Sequence, residues 1–160
     1  MVTSWTRGAS IRRGVVSRDN AFYQQGLRFH CTRCSLCCRF DSGYVFLSEH
    51  DLERMAEGLG QPASVVAKTY CRRVQLGPVS RLSLQEQPNK DCVFWVNGEC
   101  SIYEHRPLQC RSYPFWPAHL GSRHEWDHLE RECPGVNIGP IHGAAEIRGW
   151  IAEHERERLL

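Results

Sequence analysis

The pattern of hydrophobic and polar positions separates a polar beginning from a patterned remainder. Residues 1–20 are polar, basic and without periodicity, which predicts a flexible basic arm. Further along, Ser48 is followed by Asp51 three residues later, the signature of a capped helix start. Gly58 or Gly60 is expected to end this helix, because glycine adopts the left-handed conformation that helix ends favour.

A second helix and a strand are predicted next. Pro62 is suited to the first turn of a helix. The side chains expected on one side of this helix are Val65, Val66, Thr69 and Tyr70. Leu82 and Leu84 then alternate with polar residues, which is typical of a strand with one buried face.

The strongest strand signal is a hairpin around Asn97-Gly98. The segments Cys92–Val96 and Glu99–Tyr103 flank this dipeptide, which favours a tight two-residue turn. In such a hairpin Trp95 lies opposite Cys100. Cys92 and Cys100 then project from opposite faces and would serve different metal centres, unless the hairpin is irregular.

Short helices are predicted towards the end of the chain. Pro107 favours a first helical turn, which places Cys110 near a helix N-terminus, where the backbone dipole favours a thiolate. Residues 112–121 form an apolar, proline-rich segment suited to covering a metal site. From Ala144 onward the chain predicts an amphipathic helix, whose apolar face carries Ile147, Trp150 and Ile151.

Composition indicates one small domain with two appendages. The chain has 160 residues, of which 41% are hydrophobic, enough for a single core. We expect a basic arm at 1–20, a cysteine-cluster metal-binding domain at 21–143 and a C-terminal amphipathic helix at 144–160. The predicted fold class is small and irregular α+β, with short helices, loops and a β-hairpin organised around cysteine-ligated metal.

Charge and hydropathy exclude several function classes. The formal net charge of +2 is too small to indicate nucleic-acid binding. No stretch approaches the roughly 20 apolar residues that cross a bilayer, so no transmembrane segment is expected. The first residues are interrupted by arginines and lack the apolar run of a secretory signal, so a cytoplasmic, reducing location is expected.

The nine cysteines carry the main chemical signal. Two sets of four are evident: Cys31, Cys34, Cys37 and Cys38 in one run, and Cys92, Cys100, Cys110 and Cys133 dispersed. Four thiolates are the ligand set of a structural zinc site and of a 4Fe-4S cluster, so these eight residues are the predicted metal and cofactor ligands. Cys71 stands alone on a predicted helix and is interpreted as packing.

How the eight cysteines divide between centres stays open at the level of sequence. Adjacent side chains such as those of Cys37 and Cys38 usually point apart, which favours different metals for the two. One arrangement groups Cys31 and Cys34 with Cys37 and leaves Cys38 for a second centre. In the bacterial ferredoxin run, three cysteines at this spacing bind one cluster and a fourth, followed by proline, ligates the other; here Cys133-Pro134 supplies a distant Cys-Pro.

Histidines give a second, weaker metal signal. The run His124-Glu125-Trp126-Asp127-His128 fits the zinc-protease pattern, with two histidines one helical turn apart. Gly121 and Pro134 confine this helix to at most about three turns, so a surface helix is the preferred interpretation. Three other histidines are expected to lie at the surface or to support a metal ligand without touching the metal: His30, His105 and His119.

Two arginines flank Cys110 and have two possible roles. Arg106 and Arg111 could offset the negative charge of a thiolate cluster and tune its potential. They could equally pair with carboxylates such as Glu99 or Glu104. The sequence favours neither alternative.

Taken together, the cysteine-containing segments resemble the YkgJ-like cysteine cluster family of small bacterial proteins. The segments that carry the resemblance are Phe29–Cys38, Cys92–Trp95, Glu99–Tyr103, Arg106–Phe115 and Cys133–Gly135. The resemblance implies a zinc- or iron-chelating domain. It extends to the cysteine-rich part of flagellin lysine methylases, where an iron–sulfur cluster is implicated. Ser35 stands where glycine commonly follows the second cysteine of the family.

Three functional hypotheses follow from these observations. The first is an iron–sulfur protein with one or two cysteine-ligated clusters and a redox or electron-transfer role. The second is a structural zinc module that binds a protein partner. The third is a cluster-dependent enzyme, which would need a substrate pocket and an open iron position. The partner, an electron donor or acceptor or another protein, is unknown.

Overall fold

The computed structural model describes residues 22–39 and 42–160. The predicted arm at residues 1–20 lies outside this part of the chain. Two compact units are present, and they are interleaved in sequence. The first unit contains the residues up to Cys34 and Pro114–Ala152, and the second unit contains Ser35–Tyr113 and Glu153–Leu160.

Short helices and small antiparallel sheets make up both units, which confirms the predicted α+β class. The helices are α1 (Glu49–Leu59), α2 (Ala63–Tyr70), α3 (Leu108–Arg111), α4 (Arg123–His128) and α5 (Ala144–Arg156). The strands are β1 (Leu27–Phe29), β2 (Cys71–Leu76), β3 (Val79–Leu84), β4 (Trp95–Val96), β5 (Glu99–Cys100) and β6 (Val136–His142). They pair as β1 with β6, β2 with β3, and β4 with β5.

The start and end of α1 follow the predicted signals. Ser48 Oγ accepts a hydrogen bond from Asp51 N, and Asp51 Oδ2 accepts one from Ser48 N, both at 3.1 Å. This reciprocal capping box satisfies two backbone donors that a helix N-terminus leaves open. Gly60 ends the helix in the left-handed conformation, with φ of 60°.

The apolar core of the second unit lies among α1, α2 and the β2–β3 pair. Leu47, Met55 and Val66 are fully buried, and Leu82 and Leu84 of β3 join them, as their alternation predicted. One expectation for α2 is wrong, because Val65 is 42% exposed. Successive helical residues differ by about 100° around the axis, so Val65 and its buried neighbour face different surroundings.

The helical placement of Cys71 is also wrong. Cys71 is the first residue of β2 and pairs with Leu84 of β3. All six residues of β2 have partners in β3, so the chain gains a complete hydrogen-bonded ladder by leaving the helix at Tyr70.

An aromatic core in the first unit was not predicted. Phe115 stacks on Trp126 with ring centroids 5.5 Å apart, and Phe29 meets Phe115 edge-on at 5.8 Å. Trp126 and Leu27 are almost completely buried. This packing supports the three-residue strand β1, which is too short to stand alone.

The C-terminal helix is present where it was predicted. Helix α5 begins at Ala144, and its Ile147 is fully buried. The last turn of α5 and the residues after it belong to the second unit, where Leu160 N donates to the Leu47 carbonyl oxygen at 2.9 Å. None of the helices in the described residues has the length and apolar character needed to cross a bilayer.

Candidate metal centre

The segment at residues 31–38 is irregular and ends in a tight turn. Arg33 and Ser35 adopt left-handed backbone conformations, with φ of 55° and 62°. The chain then makes a tight turn over Leu36–Cys38, in which Cys38 N donates to the Ser35 carbonyl oxygen at 2.9 Å. The left-handed region suits glycine best, so a serine at position 35 carries backbone strain.

Five cysteines of the second unit are brought together, and we call them the thiol cluster. The members of the thiol cluster are Cys37, Cys38, Cys92, Cys100 and Cys110. Cys37 Sγ and Cys38 Sγ lie 3.7 Å apart. Cys92 N donates to the Cys38 carbonyl oxygen at 2.7 Å, which ties two of the contributing segments together. Charge on Cys37 or Cys92 raises the pKa of Cys110, so these thiols lie within electrostatic reach of one another.

The hairpin that carries Cys100 is shorter than predicted. Trp95 pairs with Cys100 as expected, but each strand has only two residues. Cys92 lies outside the paired strands and forms an isolated bridge with Glu86. The argument that placed the two cysteines on opposite faces therefore does not apply, and charge on Cys100 raises the pKa of Cys92.

The surroundings oppose thiolate formation at most of the cluster. Burial raises the pKa of Cys110 well above its usual value, and charges on Cys92, Cys37 and Cys100 raise it further. Burial likewise raises the pKa of Cys92 to about 11. A hydrogen bond with Cys38 lowers the pKa of Cys37 to about 7, while the same bond raises the pKa of Cys38. The cluster can thus readily lose one proton but not several.

This electrostatic situation fits a bound cation. Grouped thiolates without a positive partner repel one another and lose hydration, whereas a metal ion offsets both costs. In residues 22–39 and 42–160, no three His, Cys, Asp or Glu side chains form a ready-made ligand set. Closure on a metal therefore requires the thiols to approach more closely than they do in this arrangement.

Cys110 is placed by a buried carboxylate that the sequence signal did not reveal. Asp51 is 2% exposed, and its Oδ1 accepts a hydrogen bond from Leu108 N at 2.7 Å. Leu108 is the first residue of α3, the four-residue helix that contains Cys110, and Pro107 precedes it as expected. One side chain therefore caps α1 with one oxygen and fixes the start of α3 with the other.

Further hydrogen bonds hold the rest of α3 in the second unit. Gln109 Nε2 donates to the Tyr44 carbonyl oxygen at 2.7 Å, and Gln109 Oε1 accepts from Phe46 N at 3.1 Å. Ser112 Oγ shares a hydrogen bond of 2.6 Å with His154 Nε2. Burial lowers the pKa of His154, which favours the neutral imidazole at this contact. The Cys110 backbone is therefore held on several sides.

The remaining predicted ligands belong to the first unit. Cys31 and Cys34 are exposed on the loop that follows β1. Cys133 is buried, and its N–H donates to the Leu129 carbonyl oxygen at 2.7 Å. Within the first unit, Cys31 and Cys34 are thus exposed to solvent, whereas Cys133 is shielded from it.

Cys71 lies in the apolar core of the second unit. Its Sγ contacts the Val66 carbonyl oxygen at 3.8 Å, as a weak hydrogen bond. Burial raises its pKa to about 11, and no neighbouring charge is among the causes of this shift. These surroundings agree with the packing role predicted for Cys71.

The histidines of the protease-like motif lie on a short helix. Helix α4 has six residues, less than two turns, within the length that Gly121 and Pro134 allow. The rings of His124 and His128 stack with centroids 6.1 Å apart, and both residues are exposed. Outside this helix, His119 Nδ1 shares a hydrogen bond of 2.9 Å with the Pro114 carbonyl oxygen.

Comparison with known proteins identifies the family of the chain. The family model CxxCxxCC, described as "Putative zinc- or iron-chelating domain", matches residues 30–134. The uncharacterized protein MJ0661 of Methanocaldococcus jannaschii is 31% identical over 112 residues, which cover 66% of this chain and 57% of that protein. The chain thus spans a little over half the length of this relative. No solved structure matches the chain. The chain belongs to the CxxCxxCC family of zinc- or iron-chelating domains.

Proposed function

We propose that the protein is an iron–sulfur protein with a redox or electron-transfer role, and that the thiol cluster supplies cluster ligands. The observation that carries this proposal is the convergence of five thiols from separate segments of the second unit. All-thiolate coordination is the usual ligation of a 4Fe-4S cluster. Such a cluster, when bound, supplies reversible one-electron chemistry.

The five grouped thiols are one more than a single centre takes. A structural zinc ion and a 4Fe-4S cluster each take four thiolates, and five cysteine thiols interact within the second unit. The first-unit cysteines remain part of the proposal: Cys31, Cys34 and Cys133 are assigned as ligands of one or two clusters on the strength of their spacing. A zinc module for protein binding is the alternative, because four thiolates also satisfy zinc.

The proposed role of the chain's own residues is to gather, orient and shield the ligands. Asp51, Gln109 and Ser112 fix α3, so that Cys110 is held before a metal binds. Preorganisation of this kind reduces the conformational entropy lost on binding. A reducing, cytoplasmic location is proposed with it, since free thiols are required. The electron partner would be another protein or a small redox carrier.

Metal analysis tests the proposal directly. The full-length chain is purified without oxygen and without affinity-tag histidines, and iron, acid-labile sulfide and zinc are measured per chain beside the visible spectrum. Equal iron and sulfide with a broad charge-transfer band are expected. Zinc alone in a colourless protein would contradict the iron–sulfur assignment and support the zinc module.

A further inference from the structure

Arg39 directly follows Cys38, and its side chain contacts residues of the second unit that are distant in sequence. Its Nε donates to Asp91 Oδ1 at 3.3 Å, and the two side chains form an ion pair. Its guanidinium also lies over the Trp95 ring, with Cζ 3.8 Å from the ring centre. A cation over an indole face is attracted by the ring, so both contacts hold the arginine in place.

The residues that Arg39 contacts both adjoin cysteines of the thiol cluster. Asp91 directly precedes Cys92 in the chain. Trp95 pairs with Cys100 across the hairpin of β4 and β5. Since Arg39 itself follows a cysteine of the cluster, its side chain joins three of the segments that supply the thiols.

The Asp91 carboxylate is fixed by its own loop and is therefore a firm partner for Arg39. The Asp91 side chain is 3% exposed, and a buried carboxylate is costly unless it is paired and hydrogen-bonded. Asn89 Nδ2 donates to Asp91 Oδ2 at 2.8 Å, and Asp91 N donates to Asn89 Oδ1 at 3.1 Å. The second carboxylate oxygen, Oδ1, accepts the Arg39 donor, so the ion pair offsets the buried charge.

Backbone contacts connect the same segments. Cys92 N donates to the Cys38 carbonyl oxygen at 2.7 Å. Gln87 Nε2 donates to the carbonyl oxygens of Cys92 and Trp95, at 3.1 Å and 3.0 Å. The Arg39 side chain therefore reinforces a junction at which the backbone already brings two cysteine-bearing segments together.

Arg72 offers a matched comparison within the second unit. It directly follows Cys71, its Nη2 donates to Glu86 Oε2 at 2.7 Å, and its Cζ lies 5.4 Å from the centre of the Tyr44 ring. Glu86 forms a β-bridge with Cys92, but Arg72 itself lies on β2, which carries no proposed ligand. The contacts of Arg72 therefore join only one ligand-bearing segment to the rest of the unit.

We infer that Arg39 is a positioning residue of the thiol cluster, because its contacts with Asp91 and Trp95 hold three ligand-bearing segments together. The inference rests on the proposed function, in which these segments supply metal ligands. Residues that surround metal ligands fix the ligand positions, and their loss commonly weakens metal binding by about 10- to 100-fold. Arg39 acts through the segments that carry the thiols and is not itself a ligand.

The test compares the wild type with Arg39→Ala, Arg39→Lys and the control Arg72→Ala, each as the full-length chain purified without oxygen. The half-time of metal release to excess chelator is measured for each protein. Arg39→Ala is expected to release metal about tenfold faster than the wild type. Arg72→Ala, which loses a more exposed ion pair, is expected to stay within about twofold of the wild type.

The lysine variant separates a positioning role from a general loss of stability. Arg39→Lys keeps a positive charge for Asp91, so its release rate should lie between those of the wild type and Arg39→Ala. Release from Arg39→Lys as fast as from Arg39→Ala would overturn the inference. Equal release from Arg39→Ala and Arg72→Ala would also overturn it.

A double-mutant cycle tests whether Asp91 is the partner through which Arg39 acts. Asp91→Asn and Arg39→Ala remove the same ion pair, so the double variant should accelerate release by less than the product of the two single effects. Single effects that multiply would contradict the inference. Should Arg39→Ala not fold, Asp91→Asn is compared with Arg72→Ala: faster release from Asp91→Asn supports the inference, and equal release overturns it.

A wild-type chain without bound metal would contradict the proposed function, and the role of Arg39 would then be tested by cross-linking. The folded chain is treated with a short thiol-to-thiol cross-linker, and peptide mass spectrometry measures links of Cys38 to Cys92 relative to links of Cys38 to Cys37. The adjacent pair serves as the internal reference. This ratio should fall in Arg39→Ala and keep its wild-type value in Arg72→Ala. Equal ratios in the two variants would overturn the inference.

Discussion

Cys71 and Cys110 are two shielded thiols of the same unit with contrasting neighbours. Cys71 is 7% exposed in the apolar core, where its thiol contacts the Val66 carbonyl oxygen. Cys110 lies on the short helix α3, which polar contacts hold in place. One of these contacts is the hydrogen bond from Leu108 N, at the start of α3, to the Asp51 carboxylate. Burial raises the pKa of both thiols, but charges on neighbouring cysteines add to the rise only at Cys110.

The contrast shows that burial alone does not distinguish Cys110, a proposed ligand, from Cys71. A thiol in an apolar core is stable as a neutral small side chain. Thiols that converge from separate segments lose stability when they ionise together, and a cation removes that cost. Convergence of thiols is therefore the feature that separates the thiol cluster from Cys71.

The largest expected effect is the difference in metal binding between the serine variants of Cys110 and Cys71. Cys110→Ser should lower metal affinity by at least about 100-fold, because a ligand is lost from the thiol cluster. Cys71→Ser should leave the metal content per chain unchanged. Metal analysis and chelator competition check both variants. Equal metal loss in the two variants would contradict the claim that Cys110 binds metal and Cys71 only packs.

Asp51→Ala should destabilise the protein by about 2 to 4 kcal/mol. The substitution removes the reciprocal cap of α1 and leaves Leu108 N without its partner. Denaturant unfolding measures the change. Ser48→Ala is the control, since it removes only the cap hydrogen bond to Asp51 N and should cost about 1 kcal/mol.

Asp51→Ala is also expected to weaken metal retention more than Ser48→Ala does, because the side chain of Asp51 accepts a hydrogen bond from the first residue of α3, the helix of Cys110. The same retention in both variants would show that the placement of α3 does not depend on the carboxylate.

Alkaline pH should reveal the packing character of Cys71. Burial favours the neutral thiol and raises the pKa of Cys71 from 9.0 to about 11 in the folded chain. The free energy of unfolding therefore contains the full contribution of the buried neutral thiol below pH 9 and loses it as the pH rises towards 11. The loss approaches about 3 kcal/mol over this range. Unfolding of the wild type and of Cys71→Ala between these pH values measures the difference. Parallel pH profiles would contradict the assigned burial.

The smallest effect is expected at Gly60. The residue ends α1 in the left-handed conformation, with φ of 60°, and a Cβ there meets no neighbouring atom within 4 Å. Gly60→Ala should therefore cost about 1 kcal/mol through backbone strain alone. Thermal unfolding measures this cost, and metal content should stay at the wild-type value. Metal loss in this variant would link the end of α1 to the thiol cluster.

Local signals predicted local structure well. The Ser48 and Asp51 pair fixed the start of α1, and Asn97-Gly98 marked the turn between β4 and β5. These features depend on a few adjacent residues, so the sequence displays them directly. The pairing of β1 with β6 was missed, because β1 has only three residues and β6 is mostly exposed.

The sequence predicts which cysteines are candidate ligands, but it does not predict which of them lie together. Spacing selected the cysteines as ligands, yet the approach of Cys92 to Cys38 depends on a backbone hydrogen bond between distant segments. The second hydrogen bond of Asp51 was equally hidden, since a capping signal does not show where the other carboxylate oxygen points. Contacts between distant segments arise from tertiary packing, which local spacing does not encode.

X-ray absorption at the iron edge tests the central claim most directly, because it reports which atoms surround the metal. The chain is measured as purified without oxygen, with Cys71→Ser beside the wild type. The account predicts a first shell of sulfur with a second shell of iron, identical in both proteins. A first shell of nitrogen and oxygen, or a shell that changes in Cys71→Ser, would contradict the assignment of the thiol cluster as the metal ligands.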